Sequence, residues 1–396
     1  MEQASFEPHN TSEAAKRWAT QTCIIDNTSI EEVVQARIRE PLKTSTATVT
    51  MIVDPIRGAR GCVLNVSHAL ISITLHEIVH EFITQLSRPE NERGIDAIFS
   101  PDFLLDITPR LPQSLSHAYW RLHQPTPEDI QTATQVVQRA QARYARSTIG
   151  IPIHPNWKNR PSHIHNKTIT FEAAEARAAF SCFKKLGITL TSAFFACMTS
   201  ATAQVFGQGD EEGAHLLFSG NGRRWIDLAG DGHGPITMGI LPGGLWVEAS
   251  DADLRAKDKE GLVNLAKAIG VAQEEDLASP HIMALFDQMA PTLVKGMAEP
   301  FEAPAIARPT LTSQGAFTRH LIEGGDPIRM TQFNLGGRST DPGVCFALSS
   351  FKDELRYNLL FDERFFVQDD VVQLGYAVAG LFRTLLVEEE PRRAKL

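Results

Sequence analysis

Apolar residues recur along this chain with two periods, two residues in some stretches and three to four in others, and these mark candidate strands and helices. In "DNTSIEEVVQARIRE" Ser29 is followed three residues later by Glu32, a pairing that caps a helix start, and a short apolar stretch around Ile24 and Ile25 precedes it. The β-branched runs "TATVTMIVD" (46–54) and "GCVLNV" (61–66) flank the turn-like "PIRGARG", which predicts strand, turn, strand. From Leu75 the step lengthens: Leu75, Ile78, Val79, Phe82, Ile83 and Leu86 make the stripe of a helix packed on one face. Residues 127–145 give a further amphipathic helix, and "STIGIPIHPNWKNRPSHIHN" (147–166) has the Pro, Gly, Asn and His content of a linker.

The second half predicts a strand at "KTITF" and a helix at "EAAEARAAFSCFKKLG", closed by Gly187 where a left-handed cap is expected. "TLTSAFFACMTSATAQVF" is a second helix, with Ala193, Phe194, Cys197, Met198, Ala201 and Val205 on its buried side. Short strand candidates follow at "AHLLFSG", "PITMGI", "GLWVEA", "IRMTQFN", "GVCFALSS" and "ELRYNLLF". An apolar-periodic helix, "VQDDVVQLGYAVAGLFRTLL", precedes a polar tail. Each half mixes sheet and helix, so an α/β protein is expected, and no fixed-period repeat is visible.

Composition narrows the partners. A formal charge of −9, with no long Lys/Arg run, argues against nucleic acid and anionic membranes and for a small molecule or another protein. Cys23, Cys62, Cys182, Cys197 and Cys345 are scattered without close pairs, which fits reduced thiols. The first residues lack a signal peptide's basic head and apolar core, and no stretch approaches the roughly 20 apolar residues of a membrane span. A soluble, cytoplasmic protein is expected.

Candidate chemistry concentrates in "NVSHALISITLHEIVHEF" (65–82). His76-Glu77-Ile78-Val79-His80 spells H-E-x-x-H, in which two histidines on one helix face grip zinc beside a glutamate base. A third ligand is missing: Ile83 and Leu86 stand where one family of such enzymes has Gly and His, and Glu90 and Glu92 lie in the turn-rich "SRPENERG". The apolar stripe turns His76 and His80 towards the wetter side, so no metal is expected there. His163 and His165 are two apart, which on a strand would put both on one face and suit a metal, but in a linker they read as polar surface.

The strand "CVLNV", then "SHALIS", then the helix "ITLHEIVHEF" resembles the core of the condensation-domain and CoA-dependent acyltransferase superfamily, whose His-His-x-x-x-Asp motif lies between a strand and a helix. His68 matches the second histidine, Ser67 stands at the first and Ser72 at the aspartate. "GITLTSAFFACMTSATAQVF" is similar to the helix that opens the second lobe, and "FSGNGRRWIDLAGDGHGPITMGILPGG" to an Arg-containing strand and Gly-rich crossover. "MTQFNLGG" with "CFALSSFKDELRYNLLFDERFF" resembles the terminal hairpin and helix. The motifs run in the family's order along most of the chain, and the fungal secondary-metabolite acyltransferases look closest.

The resemblance implies two similar lobes, each a mixed sheet covered by helices, with a tunnel between them. An N-terminal lobe over 1–150 would carry the His68 motif, with a linker at 151–166 and a C-terminal lobe over 167–396. Because His68 comes early, the first strand and helix of the N-terminal lobe are expected to be shortened or absent. The implied reaction moves an acyl group from a CoA or carrier-protein phosphopantetheine thioester to a hydroxyl or amine of a secondary metabolite. His68 would be the general base, a role that suits a neutral imidazole of pKa near 6.5. No covalent acyl-enzyme is needed, so no G-x-S-x-G elbow is expected.

Two departures shape the expectation. The family's aspartate forms an ion pair that holds the histidine loop, whereas Ser72 can keep a hydrogen bond there but not a charge-assisted one. The Asp-Phe-Gly-Trp-Gly motif of the plant and trichothecene-type members is replaced by "FNLGG" (333–337), closer to the condensation-domain form. These departures admit a second reading, the same fold reused as a cyclase on a polyketide or terpenoid, with His68 as proton shuttle or wall.

Other candidates follow from position. Ser67, Asn334 and Gly336 match the tunnel lining, although Asn334 and Gly336 equally suit a strand end needing a glycine bulge. His233, in the loop "GDGHG", is a secondary substrate-binding candidate. Arg223 and Arg224 could hold a CoA phosphate or a carrier's phosphopantetheine, or one of them could pair with Asp227. The expected co-substrate is acyl-CoA or a phosphopantetheine thioester, with no permanently bound cofactor and no metal. An acyl carrier protein is the alternative partner. A monomer is expected, because such an active site lies between the chain's own lobes.

Overall fold

The computed structural model describes residues 17, 23–40, 47–54, 58–66, 79, 126–221, 240–278, 302–316 and 330–387. The chain divides into two compact units: unit 1 is Met1–Ala118, Ile226–Gly239 and Thr318–Phe333, and unit 2 is Tyr119–Trp225, Ile240–Phe317 and Asn334–Leu396.

In unit 1 the β-branched runs form a three-stranded sheet in the order β1 (Cys23–Asp26), β2 (Ala47–Asp54), β3 (Gly58–Val66). β1 and β2 are parallel, which requires a crossover, and α1 (Ile30–Arg39) lies between them in sequence. The expected cap is present: Glu32 N–H donates to Ser29 Oγ at 3.2 Å and Ser29 N–H to Glu32 Oε2 at 3.0 Å. β2 and β3 pair antiparallel from Ala47 opposite Val66 to Asp54 opposite Gly58.

Unit 2 begins, among the described residues, with α2 (Pro127–Tyr144), whose N-cap Thr126 pairs reciprocally with Asp129. Its main sheet has six strands in the order β5 (Ile164–Phe171), β11 (Glu354–Asp362), β10 (Val344–Phe351), β9 (Pro309–Ala316), β6 (Gly213–Asn221), β7 (Ile240–Glu248). The β10–β9 and β9–β6 pairs are parallel and the others antiparallel. A second, two-stranded sheet pairs β4 (Ile151–Pro152) with β8 (Ile306–Ala307).

Strand alternation gives the six-stranded sheet two unlike faces. Ile169 and Phe171 of β5, Tyr357, Leu359 and Phe361 of β11, Phe346 and Leu348 of β10, Leu311 of β9, Leu216 and Phe218 of β6, and Leu245 and Val247 of β7 are all buried in one apolar core. Against it pack α3 (Ala173–Leu186), α4 (Leu190–Phe206), α5 (Lys259–Ala278) and α6 (Gln368–Leu386). α3 ends at Gly187 with φ 68°, a conformation that costs an L-residue roughly 1–2 kcal/mol. α4 is buried on every side: every residue from Ser192 to Ala203, small hydroxyl residues included, is buried. At Gly375 of α6 a Cβ would stand 2.2 Å from Leu359 Cδ1, so only glycine allows this approach of helix to sheet without repacking. There Tyr357 Oη donates to the Gly375 carbonyl at 2.6 Å.

Among the described residues no single helix is long and apolar enough to cross a membrane. Cys182, Cys197 and Cys345 are free thiols.

Several expectations are corrected. The stretch read as a linker, 151–166, carries β4 and the start of β5, and between them Ile153 N–H donates to Ala305 O (3.0 Å) and His154 N–H to Phe365 O (2.7 Å). Its Pro and Asn residues bend the chain between short strands, and Ile151 and Ile153 are buried. The two compact units change over at Tyr119, and unit 1 also takes in Ile226–Gly239 and Thr318–Phe333. Residues 330–334 of "IRMTQFN" form no strand. α5, β8 and β9 were not predicted. Of "PITMGI" only Ile240, which opens β7, is among the described residues.

Candidate functional site

Ser67, His68, Ser72, Arg223, Arg224 and His233 lie outside the described residues, as do His76, His80 and Asp227. Val79 is helical, in keeping with the apolar stripe. β3 ends at Val66, so in sequence the strand gives way to Ser67 and His68 directly.

Asn334 and Gly336 are described, and what they do follows from the second face of the unit 2 sheet. Register puts Thr168, Asn358, Arg356, Ser349, Ala347, Cys345, Thr312 and Thr310 on the side opposite the apolar core. These are small or polar, and Asn358, Ser349, Ala347 and Arg356 are nonetheless buried. Burying an amide is tolerable only when its hydrogen bonds are made, and those of Asn358 are: Nδ2 donates to Leu335 O at 2.5 Å and to Asn334 Oδ1 at 3.0 Å, while Oδ1 accepts from Thr168 Oγ1 at 2.5 Å. Asn334 Nδ2 in turn donates to Thr168 Oγ1 at 3.4 Å.

The network carries the chain from Asn334 along β11. A Cβ on Gly337 would stand 2.9 Å from Leu360 Cδ1, and Arg364 Nη2 donates to Thr340 O at 3.0 Å. "NLGG" is therefore a strap held by side chains, and the reading of Asn334 and Gly336 as a bulged strand end is corrected. Asn334 turns its amide into the Asn358–Thr168 network, which makes it a positioning residue for the strap. Gly336 is exposed.

The strap leaves a row of small hydroxyl and thiol groups on the neighbouring strands. Cys345 Sγ stands 3.8 Å from Thr312 Oγ1, and burial pushes its thiol up to about 11, so it is no thiolate nucleophile near neutrality. Cys197, fully buried in α4, is shifted up by burial in the same way.

At the other end of the face His215 of β6 is 1% exposed, and its Nδ1 makes no hydrogen bond. Burial, and then the positive charges of Arg308 and Arg143, pull its pKa down to about 4, so the imidazole is neutral. Tyr144 meets the ring edge-on at 4.6 Å, and a Cβ on Gly244 would stand 2.6 Å from Nε2. Trp246 completes the enclosure at 6.3 Å. Such a neutral, enclosed imidazole can hold a core position but has no room shown for a reacting group.

Sequence reasoning missed Thr168, Asn358 and His215. Polar residues interrupting "KTITF", "ELRYNLLF" and "AHLLFSG" were the available signal, because each falls on the non-core parity of its strand.

No family model matches the chain. In sequence it is 27% identical, over an alignment of 452 residues, to acyl-CoA-dependent acyltransferase MAC2 of Pseudozyma antarctica (strain T-34), covering 96% of this chain and 82% of that one. Among solved structures, the trichothecene 15-O-acetyltransferase TRI3 of Fusarium sporotrichioides superimposes with a TM-score of 0.75 at 14% identity, over 96% of this chain and 80% of that one. The first condensation domain of the CDA synthetase follows at a TM-score of 0.55 and 10% identity, over 92% of this chain and 74% of that one.

Proposed function

We propose that this chain, which has the fold of the condensation-domain and CoA-dependent acyltransferase superfamily, transfers an acyl group from acyl-CoA to a hydroxyl or amine of a secondary metabolite. The observation that carries the reading is the likeness to an acyl-CoA-dependent acyltransferase along 96% of the chain. His68 is the general base of this proposal. Its neutral imidazole takes the proton of the acceptor O–H or N–H as that oxygen or nitrogen attacks the thioester carbonyl carbon. The C–S bond then breaks, and the imidazolium returns the proton to the departing CoA sulfur, so the base is regenerated. Ser67 and Ser72 flank His68 as hydrogen-bonding groups. Arg223 and Arg224 are assigned to the phosphates of the donor, where guanidinium forks suit phosphate oxygens.

The donor's pantetheine arm is extended, uncharged and amide-bearing. A carrier-protein donor would present the same arm. One observation favours the cyclase reading, namely Ser72 at the position of the family's aspartate, since a loop without its ion pair has lost part of the device that holds the base.

Release of free thiol from a panel of acyl-CoAs, each with candidate alcohol and amine acceptors, tests the base. Wild type is expected to release thiol in an acceptor-dependent way, and His68→Ala to reduce it by roughly 10²–10⁴-fold. Equal rates for the two proteins would remove His68 from the reaction.

A further inference from the structure

We propose that His163, His165 and Glu363 form a binding site for a divalent transition-metal ion of the zinc type, in unit 2. The argument begins with register. β5 and β11 run antiparallel with His165 opposite Phe361 and Ile164 opposite Asp362. One further step places His163 opposite Glu363, and Glu363 N–H donates to His163 O at 2.9 Å. A period of two then sends His163, His165 and Glu363 to the same face.

Their ligand atoms converge. Glu363 Oε2 lies 2.8 Å from His165 Nε2 and 3.5 Å from His163 Nδ1, and all three atoms lie within 4.8 Å of one another. Ligands of a tetrahedral ion with bonds of about 2.1 Å stand roughly 3.4 Å apart, so small side-chain adjustments would admit the ion. A single ion pair would need only one imidazole. Here two face the same carboxylate oxygen, and a cation between the three resolves that crowding.

The surroundings hold the ligands in place. His165 stacks on Phe361 with centroids 5.0 Å apart and an interplanar angle of 16°, which fixes its ring plane. Asp362, fully buried, accepts from Ser162 Oγ (2.7 Å), His163 N–H (3.0 Å) and Arg364 N–H (2.9 Å), pinning the backbone on both sides of the site. Exposure of 48% for His163 and 33% for Glu363 leaves an approach for the ion and for a water as fourth ligand. Two imidazoles and one carboxylate suit zinc over calcium or magnesium, which favour all-oxygen shells. Because the ligands sit at the start of β5 and at the end of β11, a bound ion would clip together segments far apart in sequence.

The test is equilibrium dialysis of the full-length chain, stripped with chelator, against zinc, with metal counted by mass spectrometry. One zinc ion per chain is expected, raising the melting temperature. His163→Gln, at an exposed side chain, and Glu363→Gln are each expected to weaken binding roughly tenfold or more. Both should melt like the wild type in chelator. A His76→Gln/His80→Gln variant separates this site from the H-E-x-x-H spelling and is expected to bind as the wild type does. The proposal is overturned if the wild type takes up no zinc, if His163→Gln and Glu363→Gln both bind as tightly as wild type, or if binding is lost with His76 and His80.

Discussion

The two faces of the unit 2 sheet are built from the same strands and differ in what holds them. On one side Phe171, Phe183, Phe194 and Phe382 meet ring to ring, with Phe382 4.6 Å from Phe171 and 5.5 Å from Phe183. That side is held by non-directional burial, which tolerates many sequences of the right volume. On the other side Asn358 is equally buried but is held by three hydrogen bonds, each of which needs a particular partner at a particular place. The first face explains why the fold persists at 14% identity to its structural neighbour.

Removing a ring from the apolar side should have the largest effect. Phe382→Ala is expected to cost about 3–5 kcal/mol, read by urea unfolding. A loss of under about 1 kcal/mol would mean that the aromatic cluster is not the core of unit 2. On the polar side, Asn358→Leu strands Leu335 O and the Asn334 amide and is expected to cost about 1–3 kcal/mol. Hydrogen exchange should rise at the amides of 334–340. Unchanged exchange there would show that the strap is held by something else.

A smaller, conditional effect belongs to His215. Its folded-state pKa of about 4 lies below the ordinary value of 6.5, so the unfolded chain takes up the proton first. The stability it contributes is present above about pH 6.5 and is lost as pH falls from there through about 4. His215→Gln should flatten that part of the acid-unfolding curve. A curve parallel to wild type between those pH values would show that His215 is not buried neutral.

The smallest change is expected at the sheet edge, where Arg146 grips Glu248 through bonds of 2.6 and 2.8 Å and lies 4.3 Å over Trp246. Both partners are about a third exposed, so Arg146→Met should lower stability least of these changes and lose even that effect in high salt. A larger, salt-independent loss would place this pair among the buried interactions.

The same contrast explains what could be read in advance. α3 with its Gly187 cap, α4, and strands β2, β5, β6, β10 and β11 announced themselves because period and punctuation are local. α5 was hidden by Gly261 and Gly270, although Leu262, Leu265, Ala266 and Ile269 keep helical spacing and are buried. β9 was hidden because "PTLTSQGA" offers one large apolar residue, Leu311, and is defined by its neighbours in the sheet. "IRMTQFN" alternates like a strand, yet its described residues, 330–334, pair with no strand. The motif around His68 is linear and can be read along the sequence, whereas a tertiary network cannot: Thr168, Asn334 and Asn358 meet across separations of up to 190 residues. His163 and His165 could be seen as a pair, but Glu363 came into view only with the β5–β11 register.

Acyl transfer itself is tested most directly by following the acyl group. The chain would be incubated with CoA thioesters carrying an isotopically labelled acyl group, together with fungal metabolite extracts or defined alcohols, and the products weighed by mass spectrometry. The account predicts a product heavier by the labelled acyl group, formed in equal amount to free CoA. A product isomeric with its precursor, formed without label and without CoA release, would contradict it and establish the fold as a cyclase.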